Sequence, residues 1–449
     1  MSHQDDVHLR KNIRAFKAIL EAAVPESVAS FVRHGNAKLD PAWLASVAMT
    51  CWGWISEGTL THRVSAACTV VGHVFERKET VSRQGLMKAL STCGPELVDR
   101  MILSLTDHVK GLKGYWTHKG KVNIAVDGSK FGAPRTAANQ DYFAATGNQK
   151  KKKKKKSYKK VSDQSKASTV QVLLTVFWHM QSGLPLQWMT SASNGSERRN
   201  AAKMLDHLSR NARLIGDAEY VGYPLWSKIH NSGRSFLVRV GSNLKFLTQL
   251  GKYRLEDGFV YYWPEGVMLA NEPPLVLRLI QIHDGKKAIF LVTNELDMDD
   301  ELACELYSWR WKIEMFFRTV KQTCERAKLH CERPENVLTE LNWTLLGIWH
   351  ALFSGKQVLL NEGLSPLDVS PVKVMKAVTK VVQLIYTVAT PVSLLQEELA
   401  KAVVDDESAR TTSKRSRHFP RKKKHRRCGA PKLCSPTPTQ LKRAQILRV

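Results

Sequence analysis

The segment 307–321 carries side chains whose types and spacing suit phosphate chemistry. They are Tyr307, Arg310, Glu314 and Lys321, at offsets of 3, 7 and 14 from the tyrosine. Because each helical residue advances by about 100°, these offsets predict that all four lie within an arc of about 60°. A carboxylate can hold a divalent metal ion, and neighbouring cations can hold a phosphate beside it. The alternative is an ordinary ion pair between Arg310 and Glu314 on a solvent-facing helix.

Two aspartates elsewhere in the chain follow short apolar runs. Asp127 comes after the alternating run 122–126, which predicts a strand with Asp127 at or near its end. Asp217 comes at the exit of the run 213–216. Carboxylates at strand ends often cap the next helix, and capping is the structural alternative for both residues. Two strand-end aspartates and a glutamate flanked by cations form a far more specific combination than any one of them.

The elements that must position these residues are predicted by hydrophobic periodicity and turn residues. A helix from about 299 to 328 carries Glu314, and its apolar residues fall on a separate stripe suited to burial against a sheet. That stripe consists of Trp309, Ile313, Phe316, Phe317 and Val320. Strands are predicted at 169–178 and 184–189 and just before Asp217, with a polar helix at 197–211. A later hairpin turns at Asp284-Gly285.

The first 115 residues have the pattern of a helical region. Asp40 is predicted to be the N-cap of one helix, with Pro41 in its first turn. Another helix is predicted from Ser82 until Gly94-Pro95 stops it. Its exposed side chains make it a candidate DNA-recognition helix, although a plain helical bundle explains the pattern equally well. The side chains that would contact DNA are Arg83, Gln84 and Lys88.

The motif Tyr-x2-Arg-x3-Glu-x6-Lys resembles the YREK signature of the DDE transposases of bacterial insertion sequences, specifically insertion-sequence family four. Asp127, followed by Gly-Ser, and Asp217, in Gly-Asp-Ala-Glu, are similar to the first two acids of that family's triad. The resemblance covers roughly residues 120 to 330. It departs at Ala218, where the family often has an arginine, so a phosphate contact from that position is not expected.

The resemblance implies an α/β fold with a ribonuclease-H-like catalytic core. The core would span 116–332 and contain a β-rich insertion at about 235–295, as in the family. A helical N-terminal region, 1–115, would bind DNA, and a helical C-terminal region, 333–404, would serve dimerisation. Residues 405–449 are predicted to be a basic disordered tail.

The resemblance also implies a function, namely excision and insertion of a mobile element by metal-dependent phosphodiester hydrolysis and strand transfer. Asp127, Asp217 and Glu314 would be the catalytic residues and would hold Mg²⁺, with Mn²⁺ as a substitute. By the same resemblance, Tyr307, Arg310 and Lys321 would bind phosphate. The side chain of Trp311 would either stack on an unpaired base or pack as an ordinary aromatic. The expected partners are double-stranded DNA, as inverted-repeat ends and as target, and a second copy of the chain in a synaptic complex. A metal-dependent nuclease of the same fold and a catalytically decayed DNA-binding regulator are the alternatives.

Most of the net charge of +27 lies in two segments of the 449-residue chain. Residues 150–160 contain nine lysines and no acid, and residues 408–449 contain fourteen lysines or arginines and no acid, so together they carry 23 of the 27 charges. Such segments bind DNA phosphates through counterion release and without sequence specificity. Their structural alternative is a solvated loop and a frayed tail.

Composition predicts a cytoplasmic protein, and the resemblance implies a bacterial one associated with the nucleoid. No apolar run approaches the roughly 18 residues of a membrane span, and the start of the chain has no secretory pattern. The eight cysteines are scattered, which favours a reducing compartment. The spacing of His425, Cys428 and Cys434 fits no common zinc site.

Overall fold

The structure is a computed structural model that describes residues 3–30, 39–77, 79–143, 170–284, 287–387 and 429–447. The lysine-rich segment 150–160 lies outside the described residues, as does the part of the predicted tail from 405 to 428.

The described strands form one mixed sheet. They are β1 (Val122–Gly132), β2 (Gln171–His179), β3 (Leu184–Ala192), β4 (Ala212–Gly216), β5 (Ser235–Val240), β6 (Lys245–Leu247), β7 (Phe259–Tyr262), β8 (Leu275–Asp284), β9 (Lys287–Thr293) and β10 (Lys432–Cys434). Their order is β10-β6-β7-β8-β9-β5-β4-β1-β2-β3. β1, β2 and β3 pair antiparallel, whereas β4 and β5 run parallel to β1.

The predicted β-rich insertion is present, and it extends the core sheet. β8 and β9 form the predicted hairpin, and β9 pairs antiparallel with β5. β5 itself pairs in parallel with β4. It therefore belongs to the core, and the insertion begins later than the predicted residue 235. The architecture is the predicted α/β, ribonuclease-H-like core with a β-rich insertion and helical flanks.

Helices cover the sheet and form the flanks. They are α1 (His3–Ala23), α2 (Glu26–Ala29), α3 (Pro41–Met49), α4 (Leu60–Phe75), α5 (Arg83–Lys110), α6 (Ala137–Phe143), α7 (Glu197–Met204), α8 (Tyr223–Asn231), α9 (Glu265–Leu269), α10 (Asp300–Trp309), α11 (Lys312–Arg318), α12 (Pro334–Asn361), α13 (Pro371–Thr387) and α14 (Pro438–Ile446). Asp40 caps α3 as predicted, because its carboxylate accepts a hydrogen bond from the backbone N–H of Trp43 at 2.9 Å.

The N-terminal and C-terminal helices pack together and share one core. α12 lies against α1, α3, α5 and the π-helical turn Thr50–Trp54. Trp54 donates its indole N–H to the carbonyl oxygen of Gly347 at 2.8 Å. A side chain at Gly347 would place its Cβ only 2.7 Å from the Cα of Gly53, so glycine is needed for this close approach. Dimerisation through the region 333–404 remains a proposal, and it would have to use surfaces other than this buried face of α12.

The prediction that Gly94-Pro95 stops a helix is wrong, because α5 continues through both residues to Lys110. An internal proline costs about 3 kcal/mol through its missing N–H and its clash with the preceding turn. Leu97, Met101 and Leu105 are fully buried beyond it. Each such side chain contributes roughly 1.5–3 kcal/mol on burial, so tertiary packing outweighs the local penalty.

The prediction of a wholly disordered tail is wrong for residues 429–447. β10 pairs in parallel with β6, and α14 begins at a capping box formed by Thr437 and Gln440. Ala444 of α14 is buried in a small apolar cluster with Trp263 and Met268 of the insertion. Composition predicts disorder here because basic residues dominate this segment. A few apolar residues are nevertheless enough to pack β10 and α14 against the edge of the sheet at β6.

None of the helices in the described parts of the chain has both the length and the apolarity to cross a bilayer.

Candidate active site

Asp127 and Asp217 lie level with one another on adjacent parallel strands. Ala125 of β1 is in register with Ile215 of β4, and each aspartate follows two residues later in its own strand direction. Since side chains alternate along a strand, both carboxylates project from the same face, and neighbouring strands are about 4.8 Å apart. Asp127 lies in the middle of β1 and not near its end as predicted, because β1 continues to Gly132 in its pairing with β2.

Asp217 does follow the last residue of β4, as predicted. One of its oxygens accepts a hydrogen bond from the backbone N–H of Glu219 at 2.9 Å and so caps the short 3-10 turn Ala218–Tyr220. The structural alternative of capping is thus realised. It engages a single oxygen, Oδ1.

Burial raises the pKa of the Asp127 carboxyl to about 7. The backbone N–H of Gly128, which donates to Oδ1 at 2.8 Å, lowers this pKa, and the negative charge of Asp217 raises it again. Arg310 lowers it and Glu197 raises it to a smaller extent. A buried carboxyl beside other carboxyls disfavours its own ionised form until a positive charge is added.

The predicted continuous helix 299–328 is interrupted at the site. α10 begins after the N-cap Asp299 and ends at Trp309, and α11 begins at Lys312. The backbone N–H of Glu314 donates to the carbonyl of Trp311, three residues earlier, so the connecting turn is tighter than an α-helix. A π-helical turn, Thr319–Thr323, then follows α11. The four signature residues therefore do not share one regular helical arc. The apolar residues of α11 are buried as predicted, with α11 against β1.

Arg310, beside this tight turn, interacts with all three predicted acids. Burial lowers the pKa of its guanidinium, but the charges around it outweigh burial and raise the pKa overall; they come from Tyr307, Asp217, Asp127 and Glu314. Its Nη2 lies 3.4 Å from Oε1 of Glu314, and its Cζ lies 5.5 Å from the ring centroid of Tyr307. The ordinary ion pair with Glu314 is thus present, and the charges of the two aspartates also act on the same guanidinium.

Lys321 and Trp311 occupy different environments. Lys321 donates from Nζ to the hydroxyl of Ser129 at 2.7 Å and lies 5.0 Å from the ring centroid of Phe131. Burial lowers the pKa of Lys321, and the charge of Asp127 raises it in opposition. Trp311 remains 48% exposed in the turn between α10 and α11. The aromatic ring is therefore not part of the core and is available to a ligand.

The donor atoms suit a hard divalent cation, although they do not form a complete coordination site. Asp127, Asp217 and Glu314 offer only oxygen ligands, the type that Mg²⁺ prefers. Within the described ranges, no three His, Cys, Asp or Glu side chains lie close enough to hold one ion together. In this arrangement Arg310 supplies the positive charge that faces the three acids.

Glu197 and Tyr220 also belong to this region, and the sequence patterns do not single them out. Glu197, the first residue of α7, accepts a hydrogen bond from the hydroxyl of Tyr220 at 2.9 Å. Burial raises the pKa of Glu197, the Tyr220 hydroxyl opposes that rise, and Asp217 adds to it. Glu197 opens a polar helix, where an acid is ordinary at the first turn, so no local signal distinguishes it.

A buried ion pair fixes the strand that carries Asp217. Arg213 of β4 donates from Nε to Glu295 at 3.1 Å and from Nη1 to Asn123 of β1 at 3.0 Å. Lys121 also lies 3.3 Å from Glu295. Removing either member of a buried pair leaves an uncompensated charge, so this network enforces one pairing of β1 with β4 and hence the level placement of the aspartates.

This chain is similar to known proteins over much of its length. The family model described as "Transposase DDE domain" matches residues 118–349. The transposase InsG for insertion sequence element IS4 of Escherichia coli (strain K12) is 24% identical over 318 residues, which are 62% of this chain and 66% of that protein. The chain thus spans just under two thirds of the relative's length. A piggyBac transposase synaptic complex with hairpin DNA aligns over 93% of this chain and 88% of that one, with a TM-score of 0.40 and 9% identity, a similarity too low to carry an argument. Because the matched region covers more than half of the sequence and contains Asp127, Asp217 and Glu314, the chain belongs to the family of proteins that carry the transposase DDE domain.

Proposed function

We propose that this protein is a DNA transposase that excises and inserts a mobile element through metal-dependent phosphodiester hydrolysis and strand transfer. The observation that supports it most is that Asp127 in β1 and Asp217 directly after β4 occupy matching positions along two adjacent parallel strands, with Arg310 near enough for their charges and that of Glu314 to raise its pKa. Arg310 in turn lies 3.4 Å from Glu314, a residue nearly 190 positions from Asp127 in the sequence.

Asp127, Asp217 and Glu314 are the residues that would hold Mg²⁺, or Mn²⁺ in its place. Bound there, the ions supply activation of an oxygen nucleophile and stabilisation of the leaving oxygen. Asp127 and Asp217 repel one another, and Arg310 relieves part of that repulsion. Arg310 would hold a DNA phosphate, because its forked guanidinium can bind a phosphate bidentately.

The remaining signature residues would hold the DNA end. Lys321 would bind a phosphate as a point charge, and its hydroxyl partner Ser129 on β1 keeps the ammonium close to Asp127. Tyr307 would hold the phosphate from α10 beside Arg310. The exposed ring of Trp311 would stack on a base that leaves the duplex during strand opening.

These residues would serve one reaction course. Water would nick one strand, and the freed 3′-hydroxyl would attack the opposite strand to form a hairpin end. The hairpin would then be opened and the end joined to target DNA. Each joining step exchanges one phosphodiester for another, so no nucleotide hydrolysis is required. Two copies of the chain would hold the paired ends of double-stranded DNA. The site of action would be the bacterial nucleoid in the cytoplasm.

The test uses the purified full chain and a supercoiled plasmid carrying the DNA that brackets its own coding region. With Mg²⁺ we expect excised fragments with hairpin ends and joined products on denaturing gels. Asp217→Asn and Glu314→Ala should each reduce cleavage at least about 100-fold, since each removes a charge that acts on the reacting phosphate. Gel-shift affinity for the bracketing DNA should remain. The control is Glu301→Gln, an exposed residue in the first turn of α10, which should retain activity.

Each alternative has its own signature in this assay. Cleavage without any joined product would replace the proposal with the nuclease of the same fold. Binding without cleavage in Mg²⁺ or Mn²⁺ would replace it with the decayed regulator. Light scattering of the DNA complex measures the stoichiometry, and one chain per paired-end complex would contradict the homodimer.

A further inference from the structure

Glu197 is a fourth acidic side chain near the aspartates, and its carboxylate lies against the backbone of Gly128. A Cβ built on Gly128 would lie 2.2 Å from the carboxyl carbon of Glu197 and 2.4 Å from each of its oxygens. At these distances a Cβ at position 128 would force the carboxylate of Glu197 to move. The carboxylate therefore rests directly on the backbone of the residue that follows Asp127, and glycine at 128 is what makes room for it.

The same carboxylate is hydrogen-bonded to the segment that follows Asp217. The hydroxyl of Tyr220 donates to Oε2 of Glu197 at 2.9 Å. Tyr220 is 1% exposed and closes the 3-10 turn that Asp217 caps, and its carbonyl accepts the indole N–H of Trp226 at 3.0 Å. Glu197 thus joins α7 to the backbone beside Asp127 on one side and to the turn after Asp217 on the other.

The hydrogen bond from Tyr220 by itself does not require an acid at position 197. A glutamine has the same shape and a carbonyl oxygen to accept from Tyr220, without the cost of a third negative charge near Asp127 and Asp217. Half-buried carboxylates that repel one another are costly unless a cation compensates them. Lys130 offsets part of the charge of Glu197 and Arg310 part of that of Asp127, and a divalent ion in the site would offset the remainder.

We propose that Glu197 is a positioning residue of the divalent-ion site: held by Tyr220 and seated on Gly128, it fixes Asp127 and Asp217 side by side and adds negative charge that favours the ion. The inference rests on the proposed function, because that function supplies the ion. It assigns a role to α7 and to Gly128 beyond that of the three acids and the phosphate-binding residues.

The test measures Mn²⁺ binding to the full chain without DNA, by electron paramagnetic resonance of the free ion. Glu197→Gln keeps the shape and the hydrogen bond from Tyr220 but removes the negative charge, and it should weaken Mn²⁺ affinity about 10–100-fold, the usual effect of altering a residue beside the metal ligands. Glu219→Gln removes the same charge from an exposed neighbour of Tyr220 and should change affinity by less than about threefold. Asp127→Asn is the positive control and should abolish binding.

Gly128→Ala tests position without removing charge, because the added methyl must push the carboxylate aside. We expect it to weaken Mn²⁺ binding about as much as Glu197→Gln does. In a Glu197→Ala background the methyl meets no carboxylate, so Gly128→Ala should then add little. Far-UV circular dichroism and the Tm in EDTA show that each variant is folded, and independent effects of the two changes in folded variants would contradict the positioning role.

The outcomes separate the two proposals. If Asp127→Asn loses Mn²⁺ while Glu197→Gln keeps wild-type affinity, the inference is refuted and the proposed function stands. If the wild-type chain binds no Mn²⁺ at millimolar concentration, the metal-dependent function fails and the inference fails with it.

Discussion

Replacing Asp127 with asparagine should stabilise the protein in the absence of metal at pH 8. The pKa of this carboxyl is raised from 3.8 to about 7, mainly by burial. At pH 8 the folded protein must therefore carry an ionised carboxylate in a place that disfavours it. Asparagine carries no charge and can still accept the hydrogen bond from the N–H of Gly128.

The magnitude follows from the shift in pKa. About three pKa units at 1.36 kcal/mol each give a cost of at most about 4 kcal/mol for the ionised form in the fold. The pKa of Asp127 is higher in the folded than in the unfolded protein, so between pH 3.8 and about 7 the folded state holds a proton that the unfolded state has lost. The stability of the wild type therefore falls as pH rises through this window. Above about pH 7 the cost is complete, and near pH 4 the carboxyl is protonated in the fold, so wild type and Asp127→Asn should converge.

The assay is thermal unfolding in EDTA at pH 4.5 and at pH 8. We expect the Tm of Asp127→Asn to exceed that of wild type by several degrees at pH 8 and by much less at pH 4.5. Asp206→Asn is the control, since Asp206 is 69% exposed and pairs with Lys228 at the surface, and its effect should stay within about 0.5 kcal/mol at either pH. Adding Mg²⁺ should reverse the order at pH 8 by stabilising wild type alone.

A variant no more stable than wild type at pH 8 would refute the reasoning. It would mean that Arg310 and solvent already compensate the Asp127 carboxylate in the folded protein. A stability gain of equal size at both pH values would also refute it, because the gain would then come from packing and not from ionisation.

Four other perturbations give distinct results. The apparent Mn²⁺ affinity should fall about tenfold per pH unit below about pH 7, because the proton on Asp127 must leave before the ion binds; a flat calorimetric profile from pH 5 to 7 would contradict this. Gly347→Ala should lower stability by about 1–3 kcal/mol in thermal melts, because its Cβ would meet Gly53, whereas Gly266→Ala, with open space around it, should not destabilise. Trp311→Ala should leave the Tm unchanged yet weaken binding to DNA with unpaired bases by about 1–3 kcal/mol in fluorescence titrations, and equal loss on intact duplex would argue against stacking. Lys321→Ala should lower the slope of log Kd against log salt by about one unit, and an unchanged slope would remove Lys321 from the phosphate contacts.

Part of the site follows from the sequence because the relevant signals are local. The strand before Asp217 and the amphipathic pattern around Glu314 depend on alternation and helical periodicity, and the apolar residues of α11 are buried as that pattern predicts. The capping of α3 by Asp40 depends on two adjacent residues. Spacing within 307–321 likewise singled out Arg310 and Lys321, and in the fold the charge of Asp127 opposes the lowering of the pKa of each by burial.

Tertiary contacts decided the rest. The turn that separates α10 from α11 leaves no mark in the residue pattern, since each half is a good helix by itself. α5 survives Pro95 because apolar residues beyond it are buried against other elements, and β10 and α14 form on an edge that the insertion provides. Periodicity cannot report packing partners, so these outcomes could not be predicted from local signals.

By itself the sequence determined which groups are present and on which type of element: two aspartates beside strands, and a glutamate among cations near a helix. Only the fold decided that β1 and β4 pair in the register that sets Asp127 level with Asp217, that Arg310 faces both, and that Glu197 rests on Gly128. The physical reason is that strand register and close contact are properties of pairs of segments far apart in the chain, whereas residue type and periodicity are properties of one segment at a time.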